Sequence, residues 1–494
     1  MSNALVNPRE APAHGRFVPA PILAHRNCTQ GALNMLEAKL KPHREYLLAQ
    51  SAGQKLFLTL TVKPTAEARQ ARPDLSVVFV VDTSGSMREV VTEPTERTGR
   101  TTQVDGQVYE VVKGGKNKMQ LMIEALRGIV TSTLIRPGDR LALVKFDDTA
   151  EVLVPFITAS NQAQLAAAVD KLDWYSGGTH MGAGMRAGAG LLTGERGSRR
   201  MVLISDGQTF DAPLVEDQIG ALAGLQVPVT VVAVGDEVNA DLLTAIADRT
   251  QGQPLDIVPD TQNPQPPAIR ASELPAALLG DLQKAAAEVV TGVALSVRTV
   301  KDVVLERVTR VQPTQTEVAL RADGPLPLGN VDAGSGATFV LEFTLPARPA
   351  TKMRLAQLGL TYEVPGANYR GEIPPLDVVV EFTGEEALAA RIDPEVMGWV
   401  QQRNIEGLVA QATREANQNP EQAAKTLEQA RAMTQRLGNG AMTQALDRAI
   451  GELGSSKTIS LGTAKTLKIG AKTQTLSSDA ALPSDEDIRR MTGA

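Results

Sequence analysis

The sequence predicts an α/β fold: a doubly wound, Rossmann-like domain that is inserted in or flanked by a β-sandwich and is followed by C-terminal α-helices. Across residues 75–260, apolar strand patterns alternate with helical patterns, which is the signature of a parallel sheet with crossover helices. Across residues 290–382, short alternating runs separated by Gly, Pro, Asn and Asp are typical of a β-sandwich. Residues 384–453 are predicted to be helical, with Asp393 and Asn419 as N-caps that each precede a proline.

The segments outside these three regions complete the predicted organisation. Residues 1–33 show no hydrophobic periodicity and are expected to form a flexible arm. Residues 35–64 contain two strand patterns, Leu36–Leu40 and Leu56–Val62, which have no obvious partner other than the sandwich. We therefore expect residues 35–64 to join the β-sandwich, so that the α/β domain is inserted between its strands. Residues 455–494 are expected to form a flexible tail with Lys/Thr repeats.

Composition describes a globular, acidic chain. At 494 residues it is long enough for two or three domains, and 43% hydrophobic with 21% charged residues is not a disordered composition. The net charge of −6 provides no basic surface for nucleic acid, so we expect no nucleic-acid partner. The single cysteine, Cys28, excludes an internal disulfide framework. With no signal-peptide pattern and no apolar stretch of about 18 residues, we expect a cytoplasmic location and no membrane association.

The most informative motif follows the first strand of the α/β region. The apolar run of residues 76–81 ends at Asp82, and two hydroxyl residues, Ser84 and Ser86, follow at alternate positions. One carboxylate and two hydroxyls at the carboxyl end of a buried strand are the oxygen ligands that hard divalent cations prefer. The sequence therefore predicts a metal site at this strand end.

Two later segments extend the motif. Thr179 lies in a glycine-rich loop, Ser176–Gly182, and Asp206 follows the buried strand of residues 201–204. Because ligands in doubly wound sheets bind at the carboxyl ends of strands, we expect the strands that precede Asp82 and Asp206 to be neighbours. The order Asp-x-Ser-x-Ser, Thr, strand-Ser-Asp-Gly resembles the metal-ion-dependent adhesion site of von Willebrand factor A (VWA) domains.

This resemblance implies a ligand set and a function. It implies that Ser84, Ser86 and Thr179 supply hydroxyls to Mg²⁺, or alternatively Mn²⁺. It also implies that Asp82 and Asp206 supply carboxylates, directly or through water. A partner protein supplies an Asp or Glu as the remaining ligand in this family. The chain resembles in particular the bacterial, intracellular members that carry a flanking β-domain.

Three features near the predicted site have more than one interpretation. His180 is either a residue that caps or packs at a helix start or a participant in chemistry. Asp147 and Asp148 are either a solvated turn or part of the binding rim, and Trp174 either packs in the core or gives the rim an apolar shoulder. A catalytic metal would require a general base beside a bound water, and the sequence offers no candidate for that base other than His180. We therefore expect no enzyme.

The tail contains the one internal repeat we find, a Lys-Thr pair at Thr458, Thr466 and Thr473. In a flexible segment these threonines are accessible to a Ser/Thr kinase, and a phosphothreonine-binding protein could then recognise them. The alternative is a basic, solvated tail or an edge strand that folds back.

Two functions are consistent with the sequence. The first is a Mg²⁺-dependent protein-binding module or scaffold in an intracellular complex. The second is a signalling substrate whose threonine-rich tail is read after phosphorylation.

Overall fold

The computed structural model describes residues 34–104, 107–235, 238–260, 268–321 and 324–473. The strands are, in chain order, β1 (Leu36–Pro42), β2 (Tyr46–Leu48), β3 (Gln54–Pro64), β4 (Leu75–Asp82), β5 (Glu96–Val104), β6 (Gln107–Lys113), β7 (Arg140–Phe146), β8 (Ala150–Thr158), β9 (Ser198–Ser205), β10 (Val229–Val234), β11 (Gln253–Val258), β12 (Ile269–Arg270), β13 (Glu288–Thr299), β14 (Val304–Gln312), β15 (Thr316–Val318), β16 (Leu326–Asp332), β17 (Ala337–Leu345), β18 (Thr351–Val364) and β19 (Tyr369–Thr383). The helices are α1 (Ala66–Gln70), α2 (Lys118–Val130), α3 (Gln162–Val169), α4 (Met181–Leu192), α5 (Ala212–Gly224), α6 (Ala240–Arg249), α7 (Leu274–Ala286), α8 (Glu386–Ala389), α9 (Pro394–Glu415), α10 (Pro420–Arg436), α11 (Gly440–Ser456) and α12 (Leu461–Thr473). The predicted arm of residues 1–33 and the tail beyond residue 473 lie outside the described residues.

The α/β region is a seven-stranded sheet in the order β12-β11-β10-β9-β4-β7-β8. All neighbouring pairs are parallel except β7 and β8, which run antiparallel. Along the chain, the strands are added on the β7 side of β4 first and then on the β9 side. The strand order therefore reverses between β4 and β9, where a doubly wound sheet forms its ligand-binding crevice.

The strands that precede Asp82 and Asp206, β4 and β9, are neighbours, as predicted. Strand β4 pairs with β9 in parallel register, from Leu75 opposite Ser198 to Val81 opposite Ile204. All eight residues of β4 are buried because it lies at the centre of the sheet. The two strands consequently bring Asp82 and Asp206 to the same edge.

Helices cover both faces of this sheet. One apolar cluster contains residues of α2, α3 and α7, and the other contains residues of α4, α5 and α6. Small residues let α4 approach the sheet closely. A Cβ atom on Gly188 would lie 2.9 Å from Val80 Cγ2, and one on Gly184 would lie 2.7 Å from the Phe146 ring.

Two five-stranded sheets lie outside the α/β region, in the orders β1-β3-β17-β14-β15 and β16-β13-β18-β19-β2. Strand β3 pairs with β17 over nine residue pairs, from Gln54 opposite Leu345 to Val62 opposite Ala337. Strand β2 pairs with β19. Side chains of both sheets form one apolar cluster that includes Leu60, Leu295 and Phe339. The strands before and after the α/β region therefore share one core.

The C-terminal helices α9, α10, α11 and α12 pack on one another around an apolar cluster. Asp393 caps α9 by accepting a hydrogen bond from the backbone N–H of Val396, and Asn419 caps α10 in the same way from Gln422. Both caps were identified from the sequence. No helix among the described residues has the length and apolar content needed to cross a bilayer.

The structure differs from the sequence interpretation in the C-terminal tail. Residues 461–473 were interpreted as part of a flexible tail, but they form helix α12. The Lys-Thr pairs obscure its helical pattern because Lys465 is buried rather than solvated, whereas Leu461 is exposed.

Helix α12 is attached to the α/β domain by polar contacts. The Lys465 ammonium lies 2.6 Å from Asp256 Oδ1, both side chains being buried, and it also donates to the carbonyl oxygen of Gly235. Thr466 donates to Asp256 Oδ2 at 2.9 Å. Lys468 contacts Asp241, and Lys472 contacts Asp248 and Glu406. Basic residues that appear to be a solvated tail in the sequence thus pair with acidic residues of the α/β domain.

We predict that Lys465→Met releases α12 from the α/β domain. Breaking a buried ion pair costs about 3–5 kcal/mol because the remaining charge, here that of Asp256, stays desolvated. Hydrogen exchange of residues 461–473 should become faster, and chemical denaturation should show a lower free energy of unfolding.

The matched control is Lys468→Met, since Asp241 is largely exposed and an exposed pair contributes less than about 1 kcal/mol. Equal effects of the two substitutions would contradict the assignment of Lys465 as the main attachment point.

Candidate metal site

The candidate site lies at the carboxyl ends of β4 and β9. Asp82 is the last residue of β4 and Asp206 directly follows β9, and both side chains are buried. The backbone pairing of these strands, rather than any flexible loop, sets their separation. Two negative charges are therefore fixed near each other away from water, an arrangement that requires a compensating cation or proton.

Asp82 is held by hydrogen bonds from both sides. Its Oδ1 accepts from the backbone N–H of Ser84 at 2.9 Å, and its Oδ2 accepts from the Ser205 hydroxyl at 2.7 Å. Burial, followed by the negative charge of Asp206, raises the pKa of Asp82 to about 7 despite these hydrogen bonds. Without a cation, the carboxyl is therefore partly protonated at neutral pH.

The hydroxyl residues lie in the loops beside these acids. The Ser84 and Ser86 hydroxyl oxygens are 3.1 Å apart, in the short turn after β4. The backbone N–H of Gly85 donates to the carbonyl oxygen of Gly177 at 3.1 Å, which ties this turn to the glycine-rich loop. Thr179, two residues further along that loop, is buried. The structure thus places all five predicted ligand residues in adjoining segments at one edge of the sheet.

A lysine not identified from the sequence lies beside Asp206. The Lys118 ammonium is 3.5 Å from Asp206 Oδ2 and 2.7 Å from Glu89 Oε2, and the lysine side chain is almost fully buried. Lys118 is the first residue of α2, where a positive charge opposes the helix dipole. A lysine at this unfavourable position could have been noticed in the sequence, because it indicates that another interaction stabilises the positive charge there.

The residues present fit a hard divalent cation. Asp206 Oδ1 is buried and has no hydrogen-bond partner among the described residues, so one acceptor at the site is unused. No group of three or more His, Cys, Asp and Glu residues suited to a metal occurs in the part of the chain that the structure describes. A cation here would therefore depend on hydroxyls as well as two carboxylates, and an all-oxygen set of this kind suits Mg²⁺ or Mn²⁺.

Two further acids position the loops, and the sequence did not identify these roles. Asp147 is buried rather than solvated, accepts a hydrogen bond from the Thr83 hydroxyl at 3.1 Å and pairs with Lys145 at 2.9 Å. Asp211 accepts from the backbone N–H groups of Gly182 and Ala183, both at 2.9 Å, at the start of α4. These contacts fix the loops on both sides of Thr179.

The rim of the site carries two exposed aromatic side chains. Trp174 is 76% exposed, so it does not pack in the core, and Phe210 is 77% exposed. The backbone N–H of Phe210 donates to the carbonyl oxygen of Thr179 at 2.9 Å, while His180 packs against the Phe210 ring at 5.9 Å. Asp148 accepts from the N–H of Gly178 and lies on the same rim. The site is therefore bordered by apolar surface on a domain that is otherwise acidic.

Comparison with protein families assigns the central part of the chain. Residues 76–265 match the model of the von Willebrand factor type A domain. A comparison with curated proteins finds no match.

Solved structures share the wider architecture. A von Willebrand factor type A protein from Catenulispora acidiphila superposes with a TM-score of 0.70 at 17% identity, over 91% of this chain and 99% of that chain. The ArnB paralog VWA2 from Sulfolobus acidocaldarius superposes with a TM-score of 0.53 at 14% identity, over 89% of this chain and 98% of that chain. At these identities the likeness concerns the fold alone. Together with the family match, it establishes that the chain contains a von Willebrand factor type A domain over residues 76–265.

Proposed function

We propose that the chain is a Mg²⁺-dependent protein-binding module that captures an acidic side chain of a partner at the site of Asp82 and Asp206. VWA domains commonly mediate protein–protein interactions and typically bind a divalent metal. The observation that supports the proposal is the buried pair of carboxylates with an unused acceptor, Asp206 Oδ1. A bound cation reduces the repulsion between two buried carboxylates, so such a pair favours cation binding.

Asp82, Ser84, Ser86, Thr179 and Asp206 would hold the ion, and the ion would supply an electrophilic point for an incoming carboxylate. Three of these five residues are neutral hydroxyls, so the residues leave the cation only partly neutralised. An Asp or Glu of a partner would form a charge-assisted contact that a neutral residue cannot make. The protein's own part is to fix the oxygen atoms, through β4, β9 and the hydrogen bonds of Asp147 and Asp211.

The rim would restrict which acidic partners bind. Trp174 and Phe210 offer exposed apolar surface in segments next to the site, and aromatic residues are frequent anchors of protein interfaces. A partner with apolar residues flanking its carboxylate would bury this surface as it binds. The two five-stranded sheets form a region whose strands lie before and after the VWA domain in the sequence. We propose that this two-sheet region supports the VWA domain within a scaffold protein.

Binding rather than catalysis is the proposal that the local geometry favours. His180 Nδ1 lies 3.2 Å from the carbonyl oxygen of Asp147, and its ring packs on Phe210. These contacts give the imidazole a structural task at the start of α4. An intracellular location remains an expectation from the sequence, which has one cysteine.

The alternative function, a tail read by a phosphothreonine-binding protein, has less support. Thr466 lies in α12 and donates to Asp256, so a phosphate there would stand beside a carboxylate. Thr458 is exposed between α11 and α12 and is the more accessible residue. Substitution of these threonines, rather than truncation of a segment that includes the packed helix α12, separates the two functions, because only the alternative requires Thr458, Thr466 or Thr473 for partner binding.

We predict that proteins captured by this chain from a lysate of its host in Mg²⁺ are lost in EDTA and with Asp82→Ala. Removing either the cation or its buried carboxylate ligand removes the contact with the partner's acidic side chain. Quantitative mass spectrometry of the captured proteins measures the loss.

Asp217→Ala is the matched control, since Asp217 is exposed on α5. Substituting Asp and Glu residues of a captured protein by Asn and Gln should abolish its capture. A set of captured proteins that is unchanged by EDTA and by Asp82→Ala would contradict the proposed function.

We also predict that Lys118→Gln tightens Mg²⁺ binding by about tenfold, because it removes a positive charge close to the cation position. Isothermal titration calorimetry of the intact chain measures the dissociation constant.

Lys116→Gln provides the comparison, because that lysine is exposed two residues earlier and pairs with Glu124 on the surface. Weaker Mg²⁺ binding in Lys118→Gln would show that the lysine supports the site rather than competing with the cation.

A further inference from the structure

A second cleft lies between the VWA domain and the two-sheet region, away from the metal site. Its volume is about 680 Å³, a size suited to a small molecule. Its lining includes Arg200, near the beginning of β9, and Arg310, on β14. Asp206 follows the opposite end of β9, so the cleft and the metal site lie at different edges of the sheet.

Arg310 is a buried cation without a matching anion. The residue is 5% exposed, and it forms no ion pair within 4 Å among the described residues, although the more distant charges of Glu288 and Asp248 act on it. The group donates only to neutral acceptors, from Nε to the Thr314 carbonyl and from Nη2 to Gln251, Thr314 and Thr316. Among the residues that the structure describes, none accepts from Nη1. A buried charge in this condition carries an unrecovered desolvation cost.

Arg200 adds a second unused donor to the same cleft. It is also buried, it contacts Glu288 and Thr230 through its terminal nitrogens, and its Nε has no hydrogen-bond partner among the described residues. Burial lowers the pKa of Arg310 to about 10; the charge of Glu288 opposes this lowering, the charge of Arg200 adds to it, and the charge of Asp248 opposes it. Two guanidinium groups that repel each other thus share one cleft, and each has a free N–H group.

The carboxylates of the cleft already have partners. Glu288 accepts from Arg200 and, at 2.8 Å, from Asn330, while Asp256 is paired with Lys465. Asp281 accepts from Thr230 at one oxygen and from Gln253 at the other. Asp332, the fourth carboxylate of the lining, accepts from the backbone N–H groups of Gly334 and Ser335 and from the Ser335 hydroxyl. Each of the four carboxylates that line the cleft therefore has a hydrogen-bond or ion-pair partner, whereas Arg200 Nε and Arg310 Nη1 have none among the described residues, and an anion is a ligand class that would satisfy these two donors.

We propose that this cleft binds a small molecule through a phosphate or carboxylate group that is held by Arg310 and Arg200. Oxygen atoms of such a group accept from the unused Nη1 and Nε donors, and its charge offsets the repulsion between the two guanidinium groups. Lys284, which is exposed at the edge of the cleft, adds a third cation on the entry path. This binding does not depend on the metal site.

The test uses the intact chain with sodium phosphate and with sodium succinate, each against sodium chloride of equal ionic strength. Thermal unfolding and calorimetry should show saturable binding of at least one anion. Saturation by phosphate alone would assign the ligand group as phosphate, and saturation by succinate alone would assign it as carboxylate. Arg310→Met and Arg200→Met should weaken binding at least tenfold, and Lys284→Met should weaken it about threefold. Arg298→Met, an exposed arginine of the same two-sheet region, is the matched control and should bind as the wild type does.

Absence of saturable binding of both anions to the wild-type chain would overturn the proposal. Equal affinity in the wild type, Arg310→Met and Lys284→Met would also overturn it, since the anion would then bind elsewhere. If Arg310→Met does not fold, Lys284→Met decides, because that exposed side chain is not needed for folding. In that case two results together would overturn the proposal that the anion binds in this cleft. One is unchanged anion binding in Lys284→Met, and the other is hydrogen exchange at β14 that does not respond to anions.

Discussion

The central constraint in this structure is that the VWA domain holds two mutually repelling carboxylates, Asp82 and Asp206, in a buried position. Parallel pairing of β4 and β9 fixes Asp82 and Asp206 at one sheet edge, and neither strand can shift without moving a central, fully buried part of the core. Burial, followed by the charge of Asp206, raises the pKa of Asp82, and Lys118 brings a positive charge to Asp206. A divalent cation relieves the same repulsion more completely, because it brings two charges and accepts oxygen ligands from the neighbouring hydroxyls. The site is therefore built by the sheet, and the loops complete it.

The surrounding structure holds that edge in place. Apolar clusters on both faces of the sheet hold the strands, while Asp147 and Asp211 hold the loops that carry the hydroxyls. Helix α12 pairs its lysines with acidic residues of β11 and α6, and Lys465 also donates to the carbonyl oxygen of Gly235, directly after β10. Polar contacts thus position the predicted ligand residues and attach helix α12. In the cleft of Arg310, by contrast, some donors have no partner among the described residues.

Much of the α/β region could be predicted from the sequence because its signals are local. Strand runs that end in Asp82 and Asp206 indicate both the parallel sheet and the shared edge, and N-caps such as Asp393 mark helix starts. Other features depend on tertiary contacts. The burial of Lys465 results from its pairing with Asp256, more than 200 positions earlier, and no periodicity in the tail reveals it. Likewise, Lys118 and Asp147 resemble surface residues in the sequence, and only packing places them beside the predicted ligands.

The most direct test of the central claim is a calorimetric titration of the intact chain with Mg²⁺ at pH 6 and pH 8. The account requires one ion per chain and no binding in Asp206→Asn. Because the pKa of Asp82 is raised to about 7, a proton must leave when the cation binds at low pH, and the carboxylate is already free at high pH. Binding should accordingly be about tenfold tighter at pH 8 than at pH 6. Absence of Mg²⁺ binding, or equal binding by wild type and Asp206→Asn, would contradict the claim that this carboxylate pair forms a cation site.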